Sequence, residues 1–271
     1  MDLRSLVSRP AVLMLSLLLP AVAPAGAPEP AAASAAPSAP ESAQELLRRI
    51  DQRMSFTSDY KGVVRILEKR KDGTEWAAEM QVYRRDSSQN FLMLVTQPRN
   101  MAGGGYLRVG DNMWEFNSGV GQWVRTTRRA NIIGTIACEG DFDRSRLSED
   151  YEAKDEGKEV INGLPYHKLQ LTARPTAEVP FPLLRLWVDK DLNIVKRVGY
   201  APSGRVLRTD IVRGYQRIKD PATQKYVYHY REVLELEEEE GTQLVVRYED
   251  VQLAPLNPNV FTKRWLEGRL R

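Results

Sequence analysis

Two different spacings of apolar residues follow one another along this chain of 271 residues. Over residues 41–56, apolar side chains recur every three or four positions and charged ones lie between them, which is typical of an amphipathic helix. Ser42 precedes this run and Glu45 follows three residues later, a pair that can cap a helix N-terminus. From Tyr60 onward the spacing becomes two, which is typical of strands with one buried face.

Strand-like segments separated by turn signals continue to the C-terminal region. Pairs such as Asp72-Gly73 and Asn162-Gly163 favour tight hairpins. The segments predicted as strands begin at Tyr60 and near residue 76 and continue with 91–95, 106–109, 113–116, 122–125, 158–161, 166–172, 183–189, 194–200, 206–212, 226–236 and 243–251. Residues 130–150 interrupt this series as a loop with one or two short helices, and residues 261–270 are predicted to form a terminal helix. We therefore expect about eleven or twelve mostly antiparallel strands, and a single sheet of that size must curl because strand twist accumulates.

The first forty residues have the layout of an export signal followed by a tether. Arg4 and Arg9 precede an apolar run over residues 11–19, and small residues follow Pro20. The run is too short for a membrane-spanning helix, which needs about 20 apolar residues. We expect a signal peptide over residues 1–25, an Ala/Pro-rich tether over 26–40 and one folded domain over 41–271, with a retained anchor as the minor alternative. No cysteine lies near the end of the apolar run, so a lipid-attachment site is not expected and the predicted location is the periplasm.

Composition and charge exclude one class of partner. The chain has 39 Lys and Arg against 36 Asp and Glu, and 42% of its residues are apolar. The charge is too balanced for a nucleic-acid-binding surface, and no basic run alternates with aromatic residues. After the predicted leader and tether, about 230 residues remain, which is enough for one sizeable core.

The sequence shows no set of residues that could support catalysis or bind a metal. Ser58 and Lys61 match a Ser-x-x-Lys pattern, but the pattern lies at the start of a strand and not of a helix. His167 and His229 lie in separate strand segments, far from the single cysteine, Cys138, so no zinc ligand set is present. Cys138 is expected to be a buried apolar side chain. We expect no catalytic residue, metal or cofactor.

The apolar positions of the strands are the candidate binding residues. The alternating pattern places a set of apolar residues on one face of each of three strands. Isoleucines of the middle loop could lie over these sets as a lid. The candidate residues are Tyr60, Val64 and Ile66, then Trp76, Met80 and Val82, then Leu184, Leu186 and Val188, and in the loop Ile132, Ile133 and Ile136. They either line a hydrophobic cavity that binds a ligand or form a core beneath helix 41–56, and both interpretations stay open.

Four segments carry a resemblance to a known family. They are residues 97–114, with Gly103-Gly104-Gly105 at their centre, residues 134–143, residues 186–190 and the ending Phe261-Thr262-Lys263. In their order and spacing they resemble the outer-membrane lipoprotein-sorting proteins, LolA-like in the broad sense, over residues 42–268. The chain departs from that family's pattern at residues 139–146, which are more charged.

The resemblance implies a mainly β fold: a strongly curved, unclosed antiparallel half-barrel of about eleven strands, with helices covering its concave face. It implies a periplasmic, non-enzymatic carrier that holds acyl chains of lipoproteins or lipids, and makes transient contact with an inner-membrane transporter and an outer-membrane acceptor. The alternative is a sensor or scaffold domain that binds a membrane protein through the same surface.

Overall fold

A computed structural model describes residues 42–270, and the predicted signal peptide and tether lie outside these described residues. Within this part of the chain, thirteen strands form one antiparallel sheet. The strands are β1 (Tyr60–Lys69), β2 (Glu75–Arg85), β3 (Asn90–Gln97), β4 (Gly105–Val109), β5 (Asn112–Asn117), β6 (Gln122–Thr126), β7 (Tyr151–Ile161), β8 (Leu164–Ala173), β9 (Leu183–Val188), β10 (Ile194–Tyr200), β11 (Val206–Lys219), β12 (Tyr226–Glu237) and β13 (Gln243–Leu253).

The strand order is β6-β5-β4-β3-β2-β1-β13-β12-β11-β10-β9-β8-β7. Strands that are neighbours in the sequence therefore pair, except for β6 and β7, and the pairing of β1 with β13 joins the two halves of the chain. The order leaves β6 and β7 unpaired on their outer sides, so the sheet is not closed into a barrel. The predicted curved, open half-barrel is confirmed.

The strand that the sequence pattern located least well is β7. It begins at Tyr151, whereas the predicted strand began at residue 158. Its first half is rich in charged residues, and the register shifts between Asp155 and Lys158, where Gly157 has a φ of 84°. Edge strands often carry charges and bulges because these features prevent pairing with other chains. The same features hide the period of two from a sequence reading.

Residues 42–270 also form three α-helices, α1 (Ala43–Met54), α2 (Leu147–Asp150) and α3 (Lys263–Glu267), together with four 3-10 helices of three or four residues each. As predicted, the Ser42 hydroxyl accepts a hydrogen bond from the Glu45 backbone N–H and caps α1. The Glu45 carboxylate pairs with Arg48 on the next turn. None of the helices in residues 42–270 is long and apolar enough to cross a membrane.

The two faces of the sheet are covered differently. We call the face under α1 and the middle loop the concave face, and the opposite face, which α3 covers, the convex face. The convex face carries a cluster made by β2–β5 and the C-terminal segment: Tyr83, Leu92, Leu94, Leu107, Phe116, Val260, Phe261 and Leu266. Gly105 lies where β4 passes β3, and a Cβ there would stand 2.0 Å from the Met93 carbonyl oxygen, so the close approach of these two strands requires glycine.

Candidate functional site on the concave face

The concave face holds two separate apolar clusters. One lies beneath the middle loop, on β1–β5, β12 and β13, and we call it the loop-covered cluster. The other lies beneath α1, on β7–β10, and we call it the helix-covered cluster. The two clusters are separated at β11, which lies between β12 and β10 and carries the buried charged residues Arg208 and Asp210.

Nine of the twelve candidate residues meet in or against the loop-covered cluster. Its buried members include Tyr60, Val64, Ile66, Met80, Val82 and Ile132, and the side chains of Trp76, Ile133 and Ile136 pack against it while partly exposed. The other three, Leu184, Leu186 and Val188, lie in the helix-covered cluster with Leu46, Leu47 and Ile50 of α1. The structure therefore places the three loop isoleucines over the first two sets, and α1 over the third.

The loop-covered cluster is closed in this structure. Val64 and Met80 both have 0% relative exposure, so protein atoms fill the space above them. We call residues 130–143, which lie over this cluster, the cover. Their backbone makes one isolated bridge, between Asn131 and Cys138, and no strand of the cover joins the sheet. Ile132, Ala137 and Phe142 are its buried apolar contacts.

A cavity of about 120 Å³ remains between the cover and the segment 178–181. Its walls include Phe142, Phe181 and Tyr230, and the arginines Arg144 and Arg146. Cavities that hold drug-sized ligands commonly measure ~300–1,000 Å³. The space is therefore too small for a long acyl chain while the cover is in place.

Buried ion pairs attach one end of the cover to strand β4. Glu139 Oε1 lies 2.7 Å from Arg108 Nε, and Asp143 Oδ2 lies 2.9 Å from Arg108 Nη2. Arg128, which precedes the cover, contacts the same two carboxylates at 2.8 and 3.0 Å. The side chain of Arg108 is only 3% exposed, so these pairs are shielded from water. A buried pair of this kind is strongly destabilising to break by removing one partner.

A second set of ion pairs attaches the cover to β10 and β11. Asp141 contacts Arg208, and its Oδ1 lies 3.6 Å from Arg197 Nη2. Asp210 lies beside both arginines, 2.7 Å from Arg197 and 3.0 Å from Arg208. On the other side of Arg208, Glu235 lies at 3.2 Å. The acidic run of the cover thus meets a row of arginines that point from the sheet.

The arginines keep two of the cover carboxylates ionised. Burial acts to raise the pKa of Asp141, but the guanidiniums of Arg208 and Arg197 outweigh it and hold the pKa below its usual value. The same balance between burial and Arg108 lowers the pKa of Asp143. Glu139 differs, because its burial and the neighbouring Asp143 raise its pKa in spite of the two arginines.

His229 and Cys138 border the cavity as buried side chains. The His229 ring stacks on Tyr60 at 5.2 Å and meets Tyr248 edge-on at 5.0 Å. Its Nδ1 lies 2.8 Å from the Tyr230 carbonyl oxygen. Burial lowers the pKa of His229 to about 4 and raises that of the Cys138 thiol. A buried thiol with a raised pKa is a poor nucleophile.

The structure separates Ser58 from Lys61. The Ser58 hydroxyl donates to Asp220 Oδ1 at 2.6 Å, while the Lys61 ammonium lies over the Tyr83 ring on the convex face. Asp220 also accepts a hydrogen bond from the Thr57 backbone N–H. The serine thus helps to attach the chain after α1 to the β11–β12 turn.

The ionic network was missed by the sequence reading, although a local signal for it exists. Arg84 and Arg108 stand at positions where alternation expects apolar residues, two after Val82 and two after Tyr106. A charge at a core-facing strand position requires a partner of opposite sign. The unusually acidic stretch 139–143 supplies such partners for Arg108, whereas Arg84 pairs with the nearby Asp86. Nothing in the sequence spacing, however, says which arginine each carboxylate meets.

Comparisons with known proteins match this architecture. A family model described as "Uncharacterized protein" matches residues 87–268, which is more than half of the chain. A search of curated proteins found no match. Among solved structures, the chain is similar to a LolA superfamily protein from Nitrosomonas europaea, with 24% identity and a TM-score of 0.70, covering 83% of this chain and 99% of that one.

Two further solved structures have the same fold. A DUF1329 family protein from Desulfovibrio piger is 17% identical with a TM-score of 0.70, covering 83% of this chain and 97% of that one. An outer membrane lipoprotein-sorting protein domain from Vibrio parahaemolyticus is 16% identical with a TM-score of 0.71, covering 83% and 98%. These likenesses confirm the fold that the family resemblance implies.

Proposed function

Because the chain belongs to the family whose model matches residues 87–268, and has the LolA-like fold, we propose that it is a non-enzymatic carrier of acyl chains. The ligands would be lipoproteins or lipids of the bacterial envelope, held against the concave face. The name of the similar Vibrio domain, an outer membrane lipoprotein-sorting protein, supports this class of ligand. The N-terminal layout of residues 1–25 supports export to the periplasm.

The observation that carries the proposal is the construction of the cover. It lies over the largest apolar surface of the concave face, yet its backbone is not part of the sheet. Displacing it would expose the positions of Tyr60, Met80 and Val82 without breaking any strand pairing. An apolar surface that can be uncovered in this way is what an acyl carrier requires.

The free energy needed to displace the cover and the free energy gained by burying an acyl chain are of the same order. Exposing Ile132, Phe142 and the partly buried Ile136 would cost about 1.5–3 kcal/mol for each large side chain. A chain of about 16 carbons gains ~0.8 kcal/mol for each buried CH₂, on the order of 10 kcal/mol in total. An acyl chain could therefore replace the cover, whereas a short or polar ligand could not.

The ion pairs would set how readily the cover opens. When it is in place, Glu139, Asp141 and Asp143 have arginine partners, and after displacement water can solvate both sides of each pair. The apparent affinity for the ligand falls as the open fraction falls. Contacts with an inner-membrane donor or an outer-membrane acceptor would be transient and would act on this equilibrium.

Titration with a fluorescent fatty acid of about 16 carbons tests the proposal. We expect saturable binding by the purified full-length chain and competition by unlabelled palmitate. The candidate residues would line the occupied space, so Met93→Trp at the floor of the cluster would report by energy transfer to the probe. A folded protein that shows no saturable binding, even if it captures a membrane protein, would contradict the carrier and favour a scaffold.

A pair of matched variants tests the role of the cover. Asp143→Asn removes a carboxylate that Arg108 and Arg128 share, and Asp210→Asn removes an equally buried carboxylate whose partners, Arg197 and Arg208, are both on the sheet. Both should lower the melting temperature, because each leaves buried arginines short of a partner. Only Asp143→Asn should tighten fatty-acid binding, by about tenfold for each 1.4 kcal/mol by which opening becomes easier. Equal effects of the two changes on binding would refute the cover mechanism.

A further inference from the structure

The convex face carries a surface that the acyl-carrier proposal does not use. It combines three partly exposed tryptophans with basic side chains of α3 and the turn after it, and we call it the tryptophan-basic patch. Its residues are Trp114, Trp123, Trp265, Lys263, Arg264 and Arg269. The residues come from β5, β6 and the C-terminal segment, and the fold places them side by side.

Direct contacts tie the patch together. The Lys263 ammonium lies 4.7 Å from the centre of the Trp114 ring and 5.1 Å from that of Trp123. The Arg269 guanidinium lies 4.2 Å from the Trp265 ring. Each of these rings therefore has a cation beside it or above it, the partly exposed Lys263 at Trp114 and Trp123 and the exposed Arg269 at Trp265. Contacts between a cation and an indole face are favourable and hold both groups in place.

The tryptophans are anchored from below. Trp123 packs on Phe116 at 4.9 Å, and Trp265 meets Tyr83 edge-on at 5.2 Å, both within the convex cluster. None of the three indoles is fully buried, so part of each remains at the surface. Side chains with an apolar body and a polar edge are favoured where water meets hydrocarbon.

The patch is predominantly basic. From residue 261 to residue 270 there are three basic residues and one acidic residue, Glu267. The Glu267 carboxylate accepts a hydrogen bond from Trp123 Nε1 at 2.7 Å and so faces a neighbour within the patch. Arg125, on the same face of β6 as Trp123, adds a further exposed cation.

We propose that the tryptophan-basic patch binds the anionic surface of a phospholipid bilayer. The cations would meet lipid phosphates, and the exposed parts of the three indoles would enter the headgroup region. Basic residues near an anionic leaflet each contribute to binding, and the contribution falls with added salt. The patch lies on the face opposite the cover, so a docked molecule would keep its concave face free.

Vesicle co-sedimentation of the full-length chain tests the inference. Any contribution of the N-terminal segment is the same in every variant. We expect the protein to sediment with vesicles that contain about 30% phosphatidylglycerol, and to be released by about 0.5 M NaCl, where the screening length is only a few ångströms. The variant Arg264→Glu with Arg269→Glu should bind at least about tenfold more weakly.

The matched control changes the same number of charges at the far end of the sheet. Lys190→Glu with Arg205→Glu alters two exposed basic residues, in the turns β9–β10 and β10–β11. This control should sediment like the unchanged protein, and circular dichroism should show equal melting temperatures for all three proteins. Failure of the unchanged protein to bind anionic vesicles, or an equal loss in the control, would overturn the inference. Fatty-acid binding measured without vesicles separates this outcome from failure of the proposed carrier function.

Discussion

The two halves of the concave face are covered by different kinds of chain. Helix α1 satisfies most of its own backbone hydrogen bonds, so Leu46, Leu47 and Ile50 make its apolar contact with the sheet. The buried Asp51 beside them accepts hydrogen bonds from the Ser145 hydroxyl and the Ser148 N–H. The cover is irregular, and its buried backbone must find partners on the sheet. Ile133 N–H donates to the Tyr106 hydroxyl at 2.8 Å, and Ile136 N–H donates to Glu68 Oε2 at 3.0 Å.

This difference indicates which half can open. Both segments make apolar and polar contacts, but the cover is held by buried ion pairs as well, and water can replace these, whereas it cannot replace apolar contacts such as those of α1. The backbone of the cover also accepts hydrogen bonds from two further sheet residues. The Tyr248 hydroxyl donates to the Asp141 carbonyl at 2.6 Å, and Arg84 donates to the Phe142 carbonyl at 3.3 Å. Under the proposed function, the loop-covered half is therefore the one that would exchange with a ligand.

The largest expected effect tests whether the loop-covered cluster is a sealed core before ligand binds. Met80→Asp places a carboxylate where the structure has 0% exposure, at a cost of several kcal/mol, of the order of the whole stability of a domain. We expect a protein that does not fold, as judged by circular dichroism. The control, Leu67→Asp, changes a 41% exposed residue of β1 and should fold. A folded Met80→Asp protein would mean that water already reaches this cluster.

The next prediction compares how a single truncation affects stability in α1 and in the cover. Leu47 is fully buried under α1, and Leu47→Ala should lower the free energy of unfolding by about 2–5 kcal/mol in urea denaturation. Ile132→Ala, its counterpart in the cover, should instead speed amide hydrogen exchange mainly within residues 130–143, through local opening. If Ile132→Ala speeds amide hydrogen exchange across the whole sheet as much as in the cover, the cover does not open locally, and the two halves of the concave face unfold together.

A pH titration examines the loop-covered half at His229. Burial lowers its pKa from 6.5 to about 4, with Arg84 acting in the same direction, so the folded state takes up its proton later than the unfolded state. The stability from this group is therefore complete above pH 6.5 and is lost as the pH falls toward 4, by on the order of 3 kcal/mol. Glu139 and Glu235, whose burial raises their pKa values, act with the opposite sign as the pH falls.

The measurement is the difference between two curves of unfolding free energy against pH. His229→Phe keeps a ring between Tyr60 and Tyr248 but cannot titrate, so subtraction isolates the histidine from the carboxylates. His167→Gln is the control, because His167 is partly exposed and pairs with Asp155 at the sheet edge. If the free energy of unfolding of His229→Phe depends on pH as steeply as that of the unchanged protein, the His229 ring is already accessible to protons from solvent.

The sequence could predict those features that arise from residues close together along the chain, and not those that arise from residues far apart. Alternation correctly grouped Tyr60, Val64 and Ile66 with Met80 and Val82, because β1 and β2 are joined by the predicted hairpin at Asp72-Gly73. Helix periodicity likewise identified Leu46, Leu47 and Ile50 as the buried apolar residues of α1, but it placed Asp51 on the exposed face, and the structure buries it. Both signals act over a few residues, and local spacing is sufficient to read them.

The division into two clusters could not be predicted in the same way. It depends on the pairing of β1 with β13, which brings Val64 opposite Tyr248, far apart in the sequence. It also depends on ion pairs such as that of Arg208 with Asp141. The alternating pattern shows only that a charged residue stands at a buried position and does not identify its partner. No local spacing encodes such pairings. The loop isoleucines lie over the first two sets and α1 over the third, and the ionic attachment of the loop is visible only in three dimensions.

The smallest expected effect tests whether apolar packing, and not capping, holds α1 in place. The Ser42 hydroxyl accepts the Glu45 N–H at 3.1 Å, and Ser42→Ala should cost about 1 kcal/mol, as is usual for loss of an N-cap. The matched variant at the other end of the chain is Thr262→Ala, since the Thr262 hydroxyl accepts the Trp265 N–H at 3.2 Å and caps α3. Urea denaturation of both should show small and similar losses, well below that of Leu47→Ala. If Ser42→Ala costs as much as Leu47→Ala, then α1 depends on a polar contact that water can replace, and the helix-covered half would open as readily as the loop-covered one.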